Sequence, residues 1–183
     1  MRIYFATGNK HKLEEVRGIL SHFEVEQIEL DLPELQGEPE EIAREKAKIA
    51  AEKARKPVFI EDTSLIFNAW NGLPGPYVKH FMEKLGVAGV YKMLGPFEDK
   101  TGYAQVIIGF CEPGKEPHVF IGRVDGKIVP PAGSTRFYFD QILIPEGETR
   151  RFSEMTVEEK NRISHRKRAV EKFNEWLLKR EKQ

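Results

Sequence analysis

The chain begins with the apolar run Ile3-Tyr4-Phe5-Ala6, the polar turn Thr7-Gly8-Asn9-Lys10-His11-Lys12, and then Leu13, Val16, Leu20 and Phe23 at the spacing of one helix face. A strand, a tight turn and a helix packed into so short a stretch constrain the fold more than any other segment. The turn also has chemical meaning. A helix N-terminus presents unpaired backbone N–H groups and a partial positive charge, and with Lys10 and Lys12 beside it the natural guest is a phosphate or another anion. An ordinary strand-to-helix turn with solvated lysines would carry the same pattern.

The segments that follow repeat the alternation. Glu24 to Ile28 reads as a second strand, and Leu32 to Pro39 as a loop by its prolines and glycine. Pro39 suits the first turn of a helix, whose small-residue face is Ile42, Ala43, Ala47, Ala50, Ala51 and Ala54. Pro57-Val58-Phe59-Ile60 is a short buried strand ending in Glu61-Asp62. Strand, helix, strand, helix, strand indicates an α/β sheet with right-handed crossovers.

The middle of the chain differs. Asn71 to Pro76 is a loop, followed by helical patterns over Val78 to Leu85 and Val87 to Leu94. Thr101 to Phe110, His118 to Val124 and Lys127 to Val129 read as strands, with Asp125-Gly126 as a hairpin turn. Thr156 with Glu159 forms a capping-box pattern, and Ser164 can cap a last helix with Ala169, Val170, Phe173, Trp176 and Leu177 on its inner face. The 183 residues therefore read as one domain with an α/β lobe over about 1–70 and 150–183 and a β-rich lobe over about 71–149.

Charge and composition exclude several classes. The 29 basic and 29 acidic residues balance, which argues against a dedicated nucleic-acid binder. The balance is local rather than uniform: residues 24–41 carry eight acids and no Lys or Arg, whereas residues 160–183 carry nine Lys or Arg and three Glu. Such a distribution can bring a metal and a polyphosphate together, although solvated faces account for most of these charges. No apolar stretch approaches the ~20 residues of a membrane span, and the first residues lack the pattern of a secretory leader. The single cysteine, Cys111, has no internal disulfide partner, so a reducing, cytoplasmic setting is expected.

Several residues could carry chemistry. Glu61-Asp62 sits where a buried strand runs out, the position at which open α/β sheets bind ligands. Neighbouring strand residues point to opposite faces, so only one of the two can face a site, and Asp62 is the choice. Mg²⁺ takes oxygen ligands and retains waters, and Glu34 or Glu38 from the acidic loop could complete its set. Acids that merely solvate a loop would look the same. Ser164-His165-Arg166 opens the final helix as a second anion-ready N-terminus, with Lys160 one turn upstream. Phe137-Tyr138-Phe139-Asp140 places aromatics beside an acid, suited to stacking a base or to filling a core. The histidines show no zinc-ligand spacing, and neither a nucleophile elbow nor a Walker A pattern is present.

Taken together the chain resembles the inosine triphosphate pyrophosphatase family nearly end to end. The resemblance is carried by Thr7-Gly8-Asn9 with Lys12, Leu32-Pro33-Glu34 with Gln36-Gly37-Glu38, and Glu61-Asp62-Thr63. It continues through Asn71-Gly72-Leu73-Pro74-Gly75-Pro76-Tyr77 and closes with Glu154-Met155, Lys160-Asn161 and Ser164-His165-Arg166. Each motif is modest alone; in this order they are specific. The resemblance implies Mg²⁺-dependent hydrolysis of nucleoside triphosphates to monophosphate and pyrophosphate, preferring ITP, dITP and XTP. It implies an elongated two-lobed α/β fold, a mixed sheet flanked by helices with the active site in the central cleft, and a homodimer.

By motif position, Thr7, Gly8, Asn9, Lys10, His11 and Lys12 would hold the phosphates. Glu34 and Asp62 would hold the metal, with Asp62 also the base for the attacking water. Thr63, Phe137, Tyr138, Phe139, Asp140, Lys160, His165 and Arg166 would line the substrate site. One departure from the family pattern stands out: Tyr138 occupies a position that is usually glycine. Two other readings compete with this one, a Maf-like pyrophosphatase for modified pyrimidine nucleotides and a non-catalytic nucleotide- or RNA-binding module.

Overall fold

In the computed structural model, which describes residues 1–133 and 138–182, the chain forms a mixed α/β fold. The elements are β1 (Arg2–Ala6), α1 (Lys10–Ile19), β2 (Glu24–Ile28), α2 (Pro39–Ala54), β3 (Val58–Phe67), β4 (Pro74–Gly75), α3 (Val78–Met93), β5 (Thr101–Cys111), β6 (His118–Ile128), β7 (Leu143–Pro145), α4 (Val157–Ile163) and α5 (His165–Glu181). The sheet order is β2-β1-β3-β5-β6-β7, with β4 paired to β3. β1 runs parallel to both β2 and β3, Phe5 lying opposite Gln27 on one side and Phe59 on the other. The crossover start of the chain thus does what its sequence foretells.

The chain divides into two compact units, one of Met1–Asp62, Val106–Gly122 and Arg166–Gln183, the other of Thr63–Gln105 and Arg123–His165. In the first unit, strand alternation sorts side chains onto two faces. Ile3, Phe5, Phe59, Val106, Ile108 and Phe110 pack with Leu13, Val16 and Leu20 of α1 and with Ala169, Val170, Phe173 and Leu177 of α5. Phe5 and Phe59 stack at 4.5 Å between ring centroids, and Phe173 closes on Phe59 at 5.2 Å.

Val58, Ile60, Ile107 and Cys111 face the other way, onto Ala43, Ala47, Ala50 and Ala51 of α2. That alanine face has a purpose at Gly109, where an added Cβ would stand 2.5 Å from the Ala43 carbonyl oxygen and 3.1 Å from the Ala47 Cβ. Helix backbone and strand backbone meet there with no room for a methyl group. Gly109→Ala is therefore expected to cost about 2–3 kcal/mol by forcing α2 off the sheet. A lowered urea midpoint checks this, and an unchanged one would contradict the close approach.

In the second unit the core gathers Leu65, Phe67, Val78, Met82, Val90, Leu94, Ala104, Val124, Ile128, Phe139, Ile142, Leu143 and Phe152. The two helical patterns expected around residues 78–94 are both present within α3, divided at Gly86, whose φ of 67° and ψ of 168° lie outside the helical region. The capping box is present at α4: Glu159 N–H donates to Thr156 Oγ1 at 3.2 Å, and Thr156 N–H donates to Glu159 Oε2 at 2.8 Å. Ser164 is buried directly before α5.

Two sequence expectations are corrected. β3 does not run out at Glu61-Asp62 but continues to Phe67, because Ser64, Leu65, Ile66 and Phe67 are all buried. Asp125-Gly126 is not a hairpin turn; both residues lie inside β6. Gly126 sits opposite Pro145 of β7 in an antiparallel pair, and Glu146 N–H donates to the Asp125 carbonyl at 2.8 Å. The glycine serves close strand packing there rather than a turn. Among the described residues, no helix is long and apolar enough to cross a membrane.

Candidate active site

The turn after β1 is fixed by its own side chains. Asn9 N–H donates to Thr7 Oγ1 at 3.1 Å, and Asn9 Oδ1 accepts from Lys12 N–H at 3.3 Å. Asn9 thereby caps α1, meeting a first-turn N–H that the helix itself leaves without a partner. Gln27 of β2 ties the turn to the sheet, donating from Nε2 to the Thr7 carbonyl at 2.6 Å. Gly8 and Lys10 are exposed, and a Cβ on Gly8 would meet nothing within 4 Å. His11 lies in the first turn of α1.

The pair Glu61-Asp62 shows what strand alternation can do. Glu61 shares the face of Phe59 and meets α1 and α5; Asp62 shares the face of Ile60 and meets α2. Lys12 Nζ of α1 lies 2.8 Å from Glu61 Oε1. Arg166, the second residue of α5, donates from Nε to Glu61 Oε2 at 2.8 Å and from an Nη to Glu61 Oε1 at 3.0 Å. Its other Nη donates to Glu15 Oε2 of α1 at 2.7 Å.

Burial alone would raise the Glu61 pKa. The Arg166 guanidinium and the Lys12 ammonium outweigh it and hold the carboxyl well below the usual carboxylate range. Burial works against the Arg166 charge as well, and Glu61 and Glu15 more than restore it. The result is a largely buried network, Lys12–Glu61–Arg166–Glu15, in which each cation meets a carboxylate.

On the opposite face, Lys46 Nζ of α2 lies 3.1 Å from Asp62 Oδ1 and 3.4 Å from Glu34 Oε2. Burial lowers the lysine pKa, but Asp62 and then Glu34 hold it above the ordinary value. The Lys46 and Asp62 side chains retain only 14% and 22% of their exposure, against 84% for Glu34. Asp62 Oδ2 is buried and has no hydrogen-bond partner among the described residues. A buried carboxylate oxygen left in that state is costly unless something else supplies a donor or a cation.

The second unit holds the remaining candidates. Lys160 of α4 forms an ion pair with Asp140, whose side chain is 2% exposed. His165 is buried, its ring 5.8 Å from that of Phe139 and 6.1 Å from that of Phe152. Phe139 is part of the second unit's core. Tyr138 opens the short 3-10 turn Tyr138–Gln141. Thr63 follows Asp62 in β3 and is half-buried. Phe137, expected to stack a base, lies outside the described residues.

Within the first unit, then, the structure brings Lys12 together with Arg166 through Glu61, and Glu34 together with Asp62 through Lys46. Within the second it joins Asp140 to Lys160 and Phe139 to His165. Sequence reasoning missed four contributors: Glu15, Lys46, Glu61 as the central carboxylate, and Asn9 as a cap. Asn9 was findable, since Asn immediately before a helical stripe is a capping signal. Lys46 lies four residues after Ile42 and four before Ala50, the spacing that puts a side chain along the buried helix face.

The chain is similar to known proteins along most of its length. The model of the Ham1 family matches residues 3–176. A protein of Tuber melanosporum named inosine triphosphate pyrophosphatase is 51% identical over 178 residues, covering 96% of each chain. The structure of the Staphylococcus aureus Ham1 protein superposes with a TM-score of 0.88 at 26% identity, covering 98% of this chain and 100% of that one. A Mycobacterium abscessus structure, described as a nucleoside-triphosphatase and dITP/XTP pyrophosphatase, matches with a TM-score of 0.77 at 27% identity over 94% of this chain and 97% of its own.

Proposed function

The chain belongs to the Ham1 family, and from that premise we propose that it hydrolyses deaminated purine nucleoside triphosphates (ITP, dITP and XTP) to the monophosphate and pyrophosphate. The observation that carries the chemistry is Asp62, a largely buried carboxylate with one oxygen held by Lys46 and the other unpartnered among the described residues. That oxygen is placed to take a proton from water or to meet a cation. The names of the relatives favour this reading over a Maf-like pyrophosphatase or a non-catalytic binder.

Mg²⁺ is the cofactor proposed. That ion takes one or two carboxylates and completes its shell with waters and substrate phosphates. Glu34 and Asp62 would hold it, and the unpartnered Asp62 oxygen fits the role. Bound there, Mg²⁺ would supply charge neutralisation for the triphosphate and its leaving pyrophosphate.

The protein's own groups do the rest. Lys12 and the α1 N-terminus bind the phosphates, with Thr7 to His11 shaping the turn. The Lys12 ammonium is kept in place by Glu61, so little of its positioning has to be done when substrate arrives. Asp62 accepts the proton of the attacking water, which adds in line to the α-phosphorus as pyrophosphate leaves.

Thr63, Phe137 to Asp140, Lys160, His165 and Arg166 are proposed for recognition of the nucleoside. Hypoxanthine and xanthine carry a carbonyl acceptor at the purine six-position, where adenine carries an amino donor. A donor fixed at that position satisfies the first two and opposes the third, and an unpaired buried polar group makes such discrimination large. Arg166 has the required rigidity, its guanidinium being held by Glu61 and Glu15. We further propose a homodimer and a cytoplasmic location.

Pyrophosphate release from ITP, XTP, dITP, GTP and ATP, with and without Mg²⁺, tests the reading. ITP and XTP are expected to exceed ATP by at least about a hundredfold in kcat/KM. Equal rates on ITP and ATP would overturn the base assignment, and no release from any nucleotide would overturn the activity.

A further inference from the structure

We propose that the Lys46 ammonium is a built-in counter-cation for the metal-binding carboxylates, one that a divalent cation must displace from Asp62 and Glu34. The inference rests on the reading of those two acids as the metal pair, and goes beyond it by assigning what holds the pair when no metal is bound.

Three observations lead there. First, Lys46 Nζ contacts both acids at once, 3.1 Å from Asp62 Oδ1 and 3.4 Å from Glu34 Oε2. Those acids come from β3 and from the loop before α2, and the lysine is the group that draws them together. Second, the lysine side chain is 14% exposed, so its interaction with the two carboxylates is only weakly screened by water. Third, the pairing is incomplete. One ammonium faces two carboxylates, and Asp62 Oδ2 remains buried and unpartnered among the described residues.

A single positive charge therefore stands where two negative ones converge, and a divalent cation matches that demand better. The two cations cannot share the carboxylates without strong repulsion at such short range. Lys46 must swing aside, which its flexible four-carbon stem allows, and an ammonium so released seeks another anion. Metal binding alone is accordingly weakened by the lysine it evicts, and it strengthens when a polyphosphate arrives to receive that lysine. The arrangement keeps the carboxylate pair from repelling itself apart in the empty enzyme, and it favours metal and triphosphate entering together.

The test is Mn²⁺ binding to the whole protein without nucleotide, read from the free-ion EPR signal. Lys46→Met keeps the length of the stem and removes the charge. It is expected to bind Mn²⁺ at least about tenfold more tightly than the wild type. Lys46→Gln, a smaller perturbation to packing, is expected to shift affinity in the same direction and guards against misfolding of the first variant. Equal or weaker Mn²⁺ binding by folded Lys46→Met and Lys46→Gln proteins would overturn the proposal. Asp62→Asn, placed in the wild type and in Lys46→Met, is expected to lose Mn²⁺ binding in both. If it binds the ion as before, the metal assignment of Asp62 itself fails and the counter-cation role falls with it.

Discussion

Asp62→Asn is expected to lower ITP turnover by about 10³-fold or more while leaving the thermal midpoint close to that of the wild type. The substitution keeps size and shape, and the amide oxygen can still accept from Lys46, which lies 3.1 Å from Asp62 Oδ1. What it removes is the negative charge. A general base contributes typically 10²–10⁴-fold, and the same carboxylate is the proposed partner of the metal, so both losses fall on one step. The stability change is small because the variant leaves no bare buried charge: Lys46 retains Glu34 at 3.4 Å. Measured kcat for pyrophosphate release decides the matter. A rate within tenfold of wild type would remove Asp62 from both roles.

Glu61→Gln is the second large effect, and it is one of stability. Glu61 is the buried carboxylate between Lys12 and Arg166, with side-chain exposures of 1%, 19% and 5% respectively. Removing its charge takes the carboxylate partner from Lys12 and leaves Arg166 with Glu15. Breaking a buried ion pair on one side typically costs about 3–5 kcal/mol, and urea unfolding at neutral pH is expected to show a loss of that order. Equal midpoints for variant and wild type at pH 7 would contradict the network.

The pH dependence has a definite sign. The Glu61 pKa is depressed in the folded protein, so the unfolded chain binds its proton more readily. The stabilisation is fully present above the ordinary glutamate value of about 4.3 and is lost progressively as the pH falls below it. The gap between wild type and Glu61→Gln is therefore widest near neutrality and narrows in acid. A gap that stays constant down to pH 3 would assign the cost to packing rather than to charge.

How much of this was legible beforehand follows from the range of the interactions involved. The β1–turn–α1 start, the alanine face of α2, the capping box at Thr156 and the inner face of α5 are written in spacings of a few residues, and local rules read them correctly. Strand alternation also said that Glu61 and Asp62 would part company. It could not say that Glu61 would receive Arg166, 105 residues away in the chain, because nothing local to either residue records that contact. Lys46 was hidden for a related reason: between alanines on a helix it reads as a solvated flank until β3 is placed beneath it.

Asp125-Gly126 failed differently. The dipeptide is a genuine turn signal, but the absence of a Cβ also permits the close pairing of Gly126 with Pro145, and the tertiary use prevailed. The motif order resembling the inosine triphosphate pyrophosphatase family compensated for part of this blindness, since it joined distant residues into one expected site that no spacing rule could assemble.

The proposed reaction splits a nucleoside triphosphate between its α- and β-phosphates, with water added to the nucleotide. Hydrolysis of ITP with Mg²⁺ in ¹⁸O-enriched water, analysed by mass spectrometry of the products, tests it most directly. One IMP and one pyrophosphate are expected for each ITP consumed, with the heavy oxygen in the IMP phosphate. IDP and orthophosphate as products, or the heavy oxygen in pyrophosphate, would contradict it.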